Sequence, residues 1–544
     1  MKKLLIIFVL MLTSFCTIRT TYAQVRAEAK RDGLISVKDF GAVGDGVTDD
    51  TQAIQNAIDA AWDNGGSCFI PEGNYKVSTL NMPKTGSDRV DMRASTFRLY
   101  GAGAGAVGYF NRRHKGTALI STTDAPILKY NRYKGAATAA SNAFKVEGIG
   151  FYGNSSTAPV VYFESMNEFS VMQDCVIVQA GTGDGLKIDF VFTSTVQRVN
   201  IINRDWIAPP GQRVGTGVRI PSFADGGLFL LFKVSCRGWE NAYIIGDGVH
   251  NPSATTMREC ESSTCTNGIT INTNVTKCLI SHCYFEAVEG TAITDNGGYT
   301  SVRDCFFYPG FSTGIQSTAA TTGNVYDGNY FITGDKPNVT IIDITSSGRY
   351  GGPSKSVINN DILYGFSGRG SAPAGVTGIK IHGVDPRLTI TGNAFTPRGT
   401  WIGGPGTSAI ADLSTSSGGS SKGTTGFTVE KGENKEFPLL AQGAISLGKA
   451  ERVVDNSNIQ GGQLSLTGGT YFEIAPQSPA TITAIDPKTT VENKVYLLRV
   501  SNTNATFSPS ALMKLAGGAK FTGPGVIMFI IDKNVAYEIN RTVY

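Results

Sequence analysis

The 544-residue chain is short of the side chains that enzymes most often use for acid–base work. It holds four histidines and four tryptophans, and charged residues make up only 17% of it. Beyond the N-terminus no run is long and apolar enough to cross a bilayer, so no membrane span is expected in the body of the chain. The cysteines lack paired CxxC spacing, which argues against a structural zinc site. No P-loop, HExxH helix or nucleophile elbow is present. Most of the formal charge of +4 comes from Lys2, Lys3 and Arg19; without them the chain carries +1. Bulk charge therefore selects no acidic partner, and no nucleic-acid partner is expected; only local patches can act.

What the chain does have is a pattern repeated nine times between Met172 and Phe395. One column reads Cys175, Val199, Val234, Cys260, Cys283, Cys305, Asn329, Asn360 and Asn393. Two residues on, a second runs from Ile177 and Ile201 through Phe285, Phe307 and Phe331 to Phe395. Repeats of this length mark solenoids or propellers. Alternation puts both columns on one side of a strand, and their apolar, small or amide character makes that side the interior. Each repeat continues into a second short strand such as GLKID, GVRIP, GITIN or GIKIH. The repeats are short and uneven for propeller blades, so parallel strands stacked coil on coil are expected, with stacked asparagines bonding along the interior. The ladder cysteines read as free, buried thiols acting as small apolar fillers; Cys68, Cys265 and Cys278 stay open.

Residues 1–23 read as a secretory signal, with Lys2 and Lys3, an apolar run from Leu4 to Leu12, and cleavage after Ala23. Secretion, or a periplasmic or cell-surface location, is the expectation; lipid modification at Cys16 is the alternative. The segment DDTQAIQNAIDAAWDNGG predicts a helix, with an acidic start, an apolar stripe of Ile54, Ala57, Ile58 and Ala61, and a Gly65-Gly66 stop. Such a helix suits the open end of a solenoid. The expected organisation is a solenoid over 24–402, a Gly/Ser-rich linker over 403–426, and a small β-sandwich-like domain over 427–544.

The stretch ISVKDFGAVGDGVTDDTQAIQNAIDAA, followed by GGSCFIPEGNYKV, resembles the start of the pectate-lyase-like superfamily. The resemblance implies an all-β, right-handed parallel β-helix and a carbohydrate substrate. It leaves the reaction open, because lyases, glycosidases, epimerases and viral tail spikes share the fold. Asp45, Asp49 and Asp50 belong to this signature and read as turn and helix-cap residues. The chain lacks the paired-aspartate pattern of the family's polygalacturonases and the DPHE segment of its alginate epimerases.

Residues flanking the inner column point outward. On the middle coils these are Arg198, Lys233, Glu259, Glu261, His282 and Tyr284, with Arg237 and Glu286 nearby. For elimination beside a uronate carboxylate, Arg198 or Arg237 would hold the carboxylate, Lys233 or His282 would take the proton, and Tyr284 would protonate the leaving oxygen. Glu259 and Glu261 would alternatively help to bind Ca²⁺, as carboxylates do in several lyases of this fold. Trp206 and Arg213, in the insertion DWIAPPGQRVG, are candidates to touch substrate. The leading expectation is a lyase acting on an acidic, uronate-containing polysaccharide such as a glycosaminoglycan. A glycosidase using paired carboxylates from Glu259, Glu261, Glu286 and Asp304 is the second. The third is a glycan-binding, spike-like protein using Tyr284, Phe306, Tyr308 and Tyr330 as stacking platforms.

Overall fold

A computed structural model describes residues 34–543. Within that range it leaves out 83–96, 105–114, 131–142, 222–227, 347–354, 365–374, 384–388, 398–407, 413–439, 442–451 and breaks of one to four residues elsewhere. The signal segment, Cys16, Trp206 and most of the linker lie outside the described residues.

The chain winds into a right-handed parallel β-helix. Each coil contributes one strand to a flat sheet, which has thirteen strands among the described residues, running from Leu80–Met82 to Leu440–Ala441. The other two strands of each coil belong to a second, bent sheet. Ile177, Ile201, Cys236, Ser262, Phe285 and Phe307 pair in register from coil to coil, as the second column requires. Phe285, Phe307 and Phe331 stack inside with ring centroids 4.6 and 4.3 Å apart. In the second position of their flat-sheet strands, Gly268 and Gly314 lie so close to the next coil that a Cβ would fall 2.2 Å from the Ala292 carbonyl oxygen and 2.5 Å from that of Ile341. The repeated glycine is therefore a packing requirement of the winding.

The helix Thr51–Asp63 (α1) covers the first coil, burying Ile54, Ala57, Ile58 and Ala61. The signature aspartates hold this entry together. Asp50 accepts the amides of Val43 and Gly44, Asp49 accepts from Thr51, and Asp45 accepts from Val47 and Thr48.

Asn329, Asn360 and Asn393 form the expected interior ladder. Asn329 Nδ2 donates to Asn360 Oδ1 at 2.9 Å, and Asn360 Nδ2 to Asn393 Oδ1 at 2.8 Å. Each amide also meets a backbone carbonyl, so no amide donor on the ladder is stranded. Cysteine takes this place in earlier coils, where the thiols of Cys175, Cys260, Cys283 and Cys305 point at backbone carbonyls. All eight described cysteines are free and buried, including Cys68, Cys265 and Cys278.

The solenoid outlasts the boundary expected at 402. Ser408–Asp412, inside the segment read as a linker, pairs in parallel with Thr377–Gly383, and Leu440–Ala441 pairs with it in turn. Ile410 stands opposite Ile379, but flanking glycine and serine runs hide this short alternation. The C-terminal residues form a six-stranded sheet and two three-stranded sheets around their own core of Phe472, Leu498, Phe507, Phe521, Ile527 and Phe529, among others.

Candidate functional site

Asp174, Arg198, Lys233, Glu259, His282 and Asp304 occupy one column, as their spacing requires. Each sits at φ between +52° and +54°, at a bend of the sheet: Arg198 and Lys233 lie within the strands Ser194–Asn203 and Phe229–Arg237, and the other four lie between two short strands. The residue after each is buried, so these side chains project from the outside of a bend. Lys233 and His282 lie two coils apart, about 10 Å, with Glu259 between them. The charges pair along the column: Arg198 grips Asp174 at 2.6 and 2.8 Å, and Lys233 meets Glu259 at 3.4 Å. The bond to Asp174 pushes the Arg198 guanidinium above its ordinary value.

Tyr284 and Glu286 lie past the bend, on the next strand. Burial, then the charge of Glu286, raises the Tyr284 phenol. Tyr284, Phe306 and Tyr330 stack along the coils with centroids 5.5 and 5.1 Å apart and planes within 17° of parallel. Neighbouring rings thus cover each other's faces, and a sugar stacks on a ring face, so this row is no open platform of the kind the binding reading needs.

Two further expectations change. Arg213 is 8% exposed and paired with Glu289 at 2.8 Å, so it pins the insertion to the solenoid and does not reach substrate. Glu259 and Glu261 flank the inward-facing Cys260 and diverge. Glu259 meets Lys233 and Arg258, while Glu261 accepts from Ser235 and lies 3.5 Å from Arg237. The two carboxylates therefore share no Ca²⁺ position, and the described residues include no cluster of three or more His, Cys, Asp or Glu side chains able to hold a metal.

A different constellation stands on the flat sheet. Lys129, Tyr162 and Lys187 occupy one outward row on successive strands, in register, and Arg219 follows on the next. The Lys187 and Lys129 ammonium groups lie 4.9 and 5.6 Å from the Tyr162 ring centre, one on each side in the row. The phenol donates to Asp189 Oδ2 at 2.5 Å. Lys187 meets Asp189 at 3.3 Å, and Lys129 meets Glu164 at 3.6 Å. Arg219 donates to Asp184 at 2.8 Å and to the Thr216 hydroxyl at 2.6 Å. Burial, the bond to Asp189, and the charges of Asp189 and Glu164 hold the Tyr162 phenol well above its ordinary value. It is a protonated hydroxyl beside a carboxylate, between two cations, on a face that remains partly open.

Sequence reasoning passed over this group. Lys129 and Tyr162 precede Met172, where the recognisable repeat begins, while Lys187 and Arg219 stand inside the quoted strands GLKID and GVRIP. Carrying the two-residue alternation across those second strands would have aligned their outward residues.

A family model described as rhamnogalacturonase A/epimerase, pectate lyase-like, matches residues 34–293. Mannuronan C5-epimerase AlgE2 of Azotobacter vinelandii is 49% identical over 71 residues, 13% of this chain and 7% of the relative. Alginate lyase 7 of the same organism is also 49% identical over 71 residues, 13% of this chain and 8% of its own length. Plasmin and fibronectin-binding protein A of Streptococcus pneumoniae is 57% identical over 51 residues, 9% of this chain and 7% of the relative. The matched segments thus span less than a tenth of these three relatives, two of which are named for reactions and one for binding. The family match covers just under half of the chain, and with the coiled architecture and the covering helix it agrees with the resemblance of residues 35–77 to the pectate-lyase-like superfamily of right-handed parallel β-helix proteins.

Proposed function

We propose that this protein acts on a uronate-containing polysaccharide by removing the proton beside the uronate carboxylate, on the flat-sheet face around Tyr162, with β-elimination as the outcome. The observation that carries this reading is the Tyr162–Asp189 hydrogen bond set between Lys129 and Lys187.

Lys129, Lys187 and Arg219 supply the positive field that neutralises the substrate carboxylate and makes the adjacent C–H acidic. Asp189 accepts that proton, as an aspartate does in other enzymes that deprotonate carbon. The electron pair forms the double bond as the glycosidic C–O bond breaks, and Tyr162 gives its proton to the departing oxygen. Asp189 then returns a proton to the phenolate across the bond they share, which restores both groups. The raised phenol suits a donor that must stay protonated until the bond breaks. No step needs Ca²⁺.

Epimerisation begins with the same proton removal and ends with reprotonation from the opposite face; a relative's name as a mannuronan C5-epimerase supports keeping it as the second reading. Hydrolysis is the third, supported by Glu164 and Asp189 standing one strand apart. Incubation with a panel of uronic-acid glycans separates the three. Elimination produces the ultraviolet absorbance of an unsaturated uronate. Epimerisation in heavy water incorporates deuterium without shortening the chain. Hydrolysis yields reducing ends without new absorbance. If none of these changes occurs while Tyr162→Phe and wild type bind the polymer equally, the proposal fails.

A further inference from the structure

Following the flat sheet away from Tyr162, the outward row continues through Ile244, Thr270, Thr294 and Gln316 to Asp343 and Lys380. The four middle positions carry no charge. Just past the ends of three of these strands, Asn272, Asn296 and Thr318 are half-buried and uncharged too. Charge then returns. Asp343 stands opposite Lys380 on neighbouring strands, and His382 Nε2 lies 3.1 Å from Asp343 Oδ1. All three side chains are half-buried and face outward, between the inward-facing Ile342, Ile344, Ile379 and Ile381. Polar outward residues of a solenoid face are ordinary; two charged clusters separated by an uncharged tract on a single flat sheet are not.

We propose that Asp343, Lys380 and His382 form a second glycan subsite, which binds a distal unit of the same polymer held at Tyr162. The inference rests on the proposed function for the identity of the polymer but not for its chemistry. Asp343 accepts from sugar hydroxyls, while Lys380 and His382 donate to a hydroxyl or pair with a carboxylate. The sheet order places the strand of Lys380 eight steps from that of Tyr162, or about 38 Å at one strand spacing per step. An extended pyranose chain advances by about one strand spacing per unit, so some eight units would bridge the two clusters over the amide- and hydroxyl-lined floor. The face acts as a length gauge: a short oligosaccharide engages one cluster, and a long one engages both with the gain of an intramolecular second contact.

The test compares binding of uronic-acid oligosaccharides of four and ten units to the full chain by titration calorimetry. Wild type is expected to hold the longer ligand about tenfold more tightly or better. That gain should disappear in Lys380→Ala/His382→Ala. It should also disappear in Thr294→Trp, which raises a barrier on the floor without touching either cluster. Thermal unfolding by circular dichroism checks that both variants fold; the single Lys380→Glu is the substitute if either does not. A wild type with no gain from four to ten units overturns the proposal, as does a gain that survives in these variants. If the gain is present and lost as expected but no glycan is converted, the subsite stands and the reaction assigned to Tyr162 falls.

Discussion

The bent corner and the flat sheet carry the same vocabulary of charged side chains, paired from coil to coil, and differ in what the backbone does beneath them. At the corner, Arg198, Lys233, Glu259 and His282 stand on left-handed residues at the outside of a bend. On the flat sheet, Lys129, Tyr162, Lys187 and Arg219 rise from straight strands, so their side chains stay level and close. A polymer lies against a level surface more readily than over an edge. Ion pairs alone do not mark a site; a phenol bonded to a carboxylate between two ammonium groups is the more specific arrangement.

The sharpest way to break this contrast is substitution on each side. Tyr162→Phe should lower kcat by about 10²–10⁴-fold, the usual worth of a positioned proton donor. Lys233→Ala and His282→Ala should stay within about threefold of wild type, since neither makes the phenol–carboxylate contact. The opposite ranking, read by product absorbance, would move the chemistry to the corner. Lys187→Ala should lower kcat/KM by about 10- to 100-fold through loss of a charged contact to the substrate carboxylate.

A pH profile sharpens the comparison further. Burial and the neighbouring carboxylates hold the Tyr162 phenol above the ordinary tyrosine value, so its active protonated form is lost only as pH rises through that raised value. The alkaline limb of kcat should therefore not appear below about pH 10.

Stability distinguishes interior from edge. Asn360→Ala removes the amide that accepts from Asn329 and donates to Asn393, and should cost about 1–3 kcal/mol in urea unfolding. Arg198→Ala breaks an exposed pair and should cost under about 1 kcal/mol, less still in high salt.

Much of the winding was legible because stacking imposes a strict column. Cys175 through Asn393 declare the interior, and a glycine at the start of several flat-sheet strands, such as Gly268 and Gly314, declares the close approach of neighbouring coils. The early coils were harder to read. The strands of Leu80–Met82, Leu128–Tyr130 and Val161–Phe163 are only three residues long and separated by long intervening segments, so their period is diluted. Lys129 and Tyr162 fall among them. Arg213 was misjudged for a different reason: a charged residue in an insertion reads as exposed until Glu289, 76 residues away, is seen to receive it. The strand at Ser408–Asp412 was lost in a glycine- and serine-rich background.

The change from sulfur to amide along the interior column has a mechanical consequence. The thiols of Cys283 and Cys305 reach back to carbonyls of the preceding coil, and Cys305 leans on the coil that follows only through its backbone N–H, which donates to Asn329 Oδ1. Asn329 and Asn360 also rely on the next asparagine, which receives both their backbone and side-chain N–H groups. Peeling the solenoid from its C-terminal end therefore strands two donors when the coil of Asn393 is removed, two more with that of Asn360, and one, the Cys305 N–H, with that of Asn329. Tension applied at that end should meet successive, similar resistances over the asparagine coils and a different, weaker step pattern beyond Cys305.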